Sequence, residues 1–140
     1  MPTIAIELTV GVLLGLVIVQ FWRHCGRHER TLSGVFLVAA GVLYPILGLL
    51  EGRDLESMPA EIFACVAGVG LAVLGARYSI WFLALGWLLH GPWDLVVPRL
   101  EDVSHMPSWY AGLCLGFDLY AGAYCALRAM GRFPVRAAAG

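Results

Sequence analysis

Apolar residues come in five long runs, at about 3–22, 31–50, 60–76, 79–97 and 108–128. Short polar segments separate them: RHCGRHER, EGRDLESMP, a brief break around Arg77, and RLEDVSHMP. Each run is close to the ~20 residues that an α-helix needs to cross the hydrocarbon core of a bilayer. Links this short make sequential helices run antiparallel. The pattern predicts an all-α fold, a polytopic membrane bundle of five transmembrane helices. The break at Arg77 is the weakest division. One helix plus a re-entrant segment over 60–97 would move the C-terminus to the other side.

Composition agrees with that pattern. Of the 140 residues, 60% are hydrophobic and 14% charged, and mean hydropathy is +0.79. Soluble domains carry about a quarter of their residues charged. Five spans use roughly 100 residues, so residues 1–140 read as a single membrane domain. The first run lacks a basic segment before it and is longer than the apolar stretch of a signal peptide, so it is expected to remain in the mature chain. The net charge of −1 argues against a nucleic-acid partner.

Charge placement predicts the orientation. Every basic residue is Arg. With five spans, Arg23, Arg27, Arg30, Arg77, Arg128, Arg132 and Arg136 fall on one side, and only Arg53 and Arg99 on the other. Cytoplasmic segments of membrane proteins are enriched in Lys and Arg. The N-terminus is therefore expected outside and the C-terminus in the cytoplasm, in a cell inner membrane. The outer segments then hold Glu51, Asp54, Glu56, Glu61, Glu101 and Asp102. Tryptophans at 22, 81, 93 and 109 fall near helix ends, as in an aromatic belt.

Small and polar residues form a stripe on each helix, because steps of three, four and seven share a face. The stripes are Glu7, Gly11 and Gly15; Gly34, Gly41, Tyr44, Gly48 and Glu51; Glu61, Cys65, Gly68, Ala72 and Gly75; Ser79, Gly86, His90 and Asp94; and Ala111, Cys114, Asp118, Ala121 and Cys125. GVLLG (11–15) and GLCLG (112–116) match the small-residue spacing that lets membrane helices approach closely. Internal packing is the expected use of both, with homo-oligomerisation the alternative. The four cysteines lack CxxC spacing and read as small packing residues.

Ionisable residues at membrane depth are costly and mark functional sites by default. Glu7, His90, Asp94 and Asp118 are such residues and the candidate catalytic set, all expected to face the bundle interior under the outer leaflet. The densest segment is HGPWD (90–94). His90 and Asp94 are four apart on one helical face, and Pro92 cannot donate to the Leu88 carbonyl. Tyr44, Trp93 and Trp109 are candidate substrate-binding aromatics. HCGRH (24–28) holds His24, Cys25 and His28, but three arginines surround them, so a solvated loop is expected there and no metal site.

HGPWDLVVP followed by PSWYAGLCLGFDLYAGAY resembles a family of small bacterial integral membrane proteins of unknown function. Members carry a His-Gly-x-Trp-Asp element on one helix and a Cys-x-x-x-Asp element on the next. The corresponding residues here are His90, Gly91, Trp93, Asp94, Cys114 and Asp118, over roughly 86–125. The resemblance implies a shared site without naming an activity. A second His often found near the outer end of the fourth helix is replaced here by Val97 and Pro98, which weighs against a metal.

Three functions remain open from the sequence. The polar cluster could hold the helices of a structural or accessory subunit in register. It could serve a membrane-embedded acid/base enzyme for a lipid or isoprenoid-like substrate, with His90 positioned by Asp94 and a second carboxylate from Asp118 or Glu7. It could also be a relay or binding site for transport or sensing of a proton or metal ion. The sequence contains no nucleophile motif and no phosphate loop, and it identifies no cofactor. The expected partners are membrane lipid, a lipid-like ligand and further copies of the chain.

Overall fold

The computed structural model describes residues 2–100 and 106–133. Glu101, Asp102 and Arg136, which entered the orientation argument, lie outside the described residues. Five helices follow one another: α1 (Pro2–His24), α2 (Glu29–Leu50), α3 (Pro59–Arg77), α4 (Ile80–Val96) and α5 (Tyr110–Ala129). All five are long and apolar enough to cross a membrane. The described residues form no strand.

Local chemistry sets the helix boundaries. Asp54 accepts from the Ser57 backbone N–H at 3.2 Å and closes a short 3-10 turn (Leu55–Ser57) before α3. Pro59 then opens α3, where its missing N–H is no loss. Only Tyr78 and Ser79 separate α3 from α4, so the break at Arg77 is a tight turn between two full helices. Ser79 caps α4 by accepting from the Trp81 N–H. Helix α4 continues through Pro92 to Val96 and ends in a 3-10 turn over Val97–Arg99.

The helices do not pack in chain order. Helix α5 runs between α1 and α4 and contacts both along its length, α2 pairs with α3, and α3 and α2 close against α4. Helix α1 touches its sequence neighbour α2 only slightly. The α1–α5 contact uses the two glycine motifs against each other. A Cβ on Gly11 would strike the Leu113 carbonyl, and one on Gly116 would strike the Leu8 carbonyl. Hydrocarbon tails supply no hydrophobic drive for association, so such close backbone approach is a main source of attraction.

An aromatic layer fills the middle. Trp22 stacks on Trp87 with ring centroids 5.9 Å apart. Phe117 meets the edge of Trp87 at 5.3 Å, and Leu37 and Leu83 are fully buried beside them. Elsewhere large apolar side chains point outward, as Leu13, Val17, Phe63 and Val66 do. That inversion suits a protein whose surroundings are lipid.

Candidate functional site

The aromatic layer divides the buried polar groups into two sets. At the arginine-rich end, Tyr124 donates to Glu29 Oε1 at 2.6 Å, with the Arg128 Nε 3.5 Å from the same oxygen. Above them the Trp87 Nε1–H donates to Ser33 Oγ at 3.0 Å, and Ser33 contacts the Cys125 thiol at 3.7 Å. In the sequence Glu29 belongs to the short polar segment RHCGRHER between the first two apolar runs. The structure instead buries it at the start of α2 (5% exposed), because Tyr124 and Arg128 lie one turn apart on α5 and meet it together. His24 and His28 are exposed, as a solvated loop requires.

The second set lies at the acidic end and contains the densest sequence signal. His90 Nδ1 is 2.9 Å from Asp118 Oδ2 and 3.8 Å from Asp94 Oδ2. A carboxylate only accepts, so Nδ1 carries the proton of the shorter contact. Asp94 and Asp118 are buried, with side chains 0% and 2% exposed, and His90 is nearly so. One ligand atom from each of the three residues lies within 4.8 Å of the others. Gly91 permits this. A Cβ there would stand 3.1 Å from the Asp118 Cβ, so any larger residue would push α5 away from His90.

Other groups crowd this cluster. The Cys114 thiol interacts with Asp94 and with Tyr110, and Tyr110 packs edge-on against Tyr44 at 5.6 Å. Tyr44 is buried, with Asp94, Cys114 and Glu61 as electrostatic neighbours. Glu61, a stripe residue of α3, is fully enclosed and paired with Arg53 at 3.1 Å. Arg53 also donates to the Ser57 carbonyl at 2.8 Å. Neither oxygen of Asp94 receives a well-formed hydrogen bond from the described residues.

The other expected site residues divide. Trp93 is near the cluster, on the wall of the cavity described next. Trp109 is 51% exposed at the start of α5, where it contacts Tyr110. Glu7 stays apart: it packs on α5 at Gly112, and among the described residues it forms no hydrogen bond or ion pair with the other three. The α1 stripe fits glycine against α5, and that docking holds Glu7, half-buried, against Gly112. Tyr110 belongs to the cluster although its place at the edge of an apolar run marks it only as interfacial.

A cavity of about 300 Å³ opens between α2, α3 and α4. Its lining is apolar, from Leu37, Ala67, Leu71, Leu89, Trp93 and neighbours, and among the described residues His90 is the one ionisable group on it. Gly68, read from sequence as a packing residue, instead borders this space, and a Cβ there would meet nothing within 4 Å. Toward the acidic end, Phe63 and Trp93 also border a shallower depression beside Ser57, Pro59 and Leu100. His90 thus touches an apolar space on one side and two buried carboxylates on the other. That arrangement can present a polar group to an apolar ligand, pass a proton, or hold a cation.

No curated protein and no solved structure matches the chain. The model of a family of unknown function, DUF6010, matches residues 6–131, a stretch that contains all five helices but for the first residues of α1, and the chain belongs to that family.

Proposed function

We propose that this protein is a membrane-embedded enzyme that binds a lipid-like molecule in the α2–α3–α4 cavity and acts on it through His90, Asp94 and Asp118. One observation carries the reading: among the described residues, the only ionisable side chain on the wall of an otherwise apolar cavity is His90, and Asp118 holds its ring from behind. A purely structural cluster needs no adjoining space. Ligand sites are concave, largely apolar and equipped with a few placed polar groups, which describes this one. The depression that shares Phe63 and Trp93 with the cavity extends this apolar surface as far as Ser57, so a lipid chain can lie along Gly68 and Leu71.

Transport across the bilayer has less support. The Glu29 set and the His90 set stand on opposite sides of the Trp22–Trp87–Phe117 layer, and a relay would have to pass through it. In a cell inner membrane, the arginine bias puts the N-terminus outside, and the ligand then enters from the outer leaflet.

Gly68→Leu provides the test. The new side chain enters open space, so the protein should fold, while the cavity is occupied. Native mass spectrometry of the purified wild type should find a retained lipid, and Gly68→Leu should lose it. Equal retention by both proteins, or none in the wild type, would overturn the reading.

A further inference from the structure

We infer that His90, Asp94 and Asp118 form a binding site for one divalent first-row transition cation. The separations are close to those of a coordinated ion. Ligands about 2.0–2.2 Å from such an ion stand roughly 3.0–3.5 Å from one another at the angles of tetrahedral or octahedral coordination. His90 Nδ1 is 2.9 Å from one carboxylate and 3.8 Å from the other. All three ligand atoms lie within 4.8 Å, so a cation needs only small side-chain movements; it takes the place of the Nδ1 proton, and the neutral ring carries its proton on Nε2.

Asp94 supplies the independent observation. Its side chain is 0% exposed, and among the described residues no donor forms a proper hydrogen bond to either oxygen. Oδ2 nevertheless points into the cluster, toward His90. A buried carboxylate whose nearest donors are a weak one, the Cys114 thiol, and an imidazole 3.8 Å away is poorly compensated, and buried charges are paired or coordinate metals. Charge points the same way. Two carboxylates and a neutral imidazole total −2, which a divalent cation cancels, and the neighbouring Arg53 is already engaged by Glu61. One imidazole with two carboxylates suits borderline ions such as manganese, iron, cobalt or zinc, rather than a soft thiolate-seeking ion. Three protein ligands leave coordination positions open, as catalytic metal sites do.

This inference concerns the same residues as the proposed enzyme but does not require the lipid. The full-length protein in detergent, stripped with a chelator, would be titrated with Co²⁺ and followed by its visible absorption and by metal analysis. One Co²⁺ per chain is expected, displaced by Zn²⁺. Asp94→Asn should weaken binding by more than about a hundredfold, beyond the 10–100-fold that loss of a supporting partner costs. His90→Gln should do the same, so the test survives if one variant fails to fold. Replacing both His24 and His28 by Gln should leave binding intact, and so should Gly68→Leu, which separates failure of the cation site from failure of the lipid reading. No stoichiometric binding by the wild type, unchanged binding in Asp94→Asn or His90→Gln, or loss of binding in the His24/His28 variant would overturn the inference.

Discussion

His90 and Asp118, 28 positions apart, meet across the α4–α5 contact with Nδ1 2.9 Å from Oδ2. Asp94, four residues from His90 on the same helix, lies farther from the ring, at 3.8 Å. The partner on the neighbouring helix, rather than the local one, therefore fixes the orientation of the imidazole.

Asp118→Asn tests that assignment. The amide keeps the shape and one acceptor, so the protein should fold and insert. Because a buried ion pair is often no better than a neutral pair, its melting temperature should stay within a few degrees of the wild type. Retention of ligand should fall in both Asp118→Asn and His90→Gln. Unchanged retention in the two variants, measured by native mass spectrometry, would remove any functional role from this pair.

The α1–α5 glycine contact should be intolerant of volume. Gly116→Val forces a side chain against the Leu8 carbonyl, and overpacking of this kind costs about 1–3 kcal/mol. Thermal unfolding in detergent should show a clear loss of stability. Gly70→Val, at a position where a Cβ meets nothing, should be nearly silent.

At the opposite end, Tyr124→Phe deletes the donor to buried Glu29. Hydrogen bonds to charged groups contribute about 1.5–3 kcal/mol in soluble proteins, whereas bonds between membrane helices average about 0.6 kcal/mol. A loss of about 1–2 kcal/mol is expected. It should appear in equilibrium unfolding while lipid and Co²⁺ binding stay unchanged.

Reporter fusions at the two termini should place the N-terminus outside and the C-terminus in the cytoplasm. Both termini on one side would contradict an odd number of spans.

Much of this fold is legible in the sequence because a bilayer imposes a length on each span and a cost on each charge. The five runs therefore predict the helices to within a few residues, and His90, Asp94 and Asp118 stand out as the polar exceptions within them. What was not legible depends on which helix lies beside which. Gly11 and Gly68 look equivalent as stripe residues, yet one is pressed on α5 and the other borders an opening, because α1 has a close partner on its glycine face and α3 does not. Glu7 satisfies the same cost criterion as Asp118 but is displaced from the cluster by its helix's docking on α5. The burial of Glu29 is not legible in its polar segment because its partners Tyr124 and Arg128 lie at the other end of the sequence, beyond the reach of any local pattern.

The place of α1 has a consequence for biogenesis. The helix has the highest mean hydropathy of the five spans, it has little contact with α2, and its partner is the last of the five to be made. During synthesis α1 must therefore reside in lipid alone, with its glycine face unoccupied, until α5 leaves the ribosome and enters the bilayer. Its strong apolar character allows that wait. The least apolar span, α5, carries Asp118 and arrives when both α1 and α4 are present to receive it. Completion of the His90 site and capture of the first helix are then a single late event. A chain truncated before Tyr110 would leave α1 free in the membrane and the buried carboxylate Asp94 without the helix that covers it.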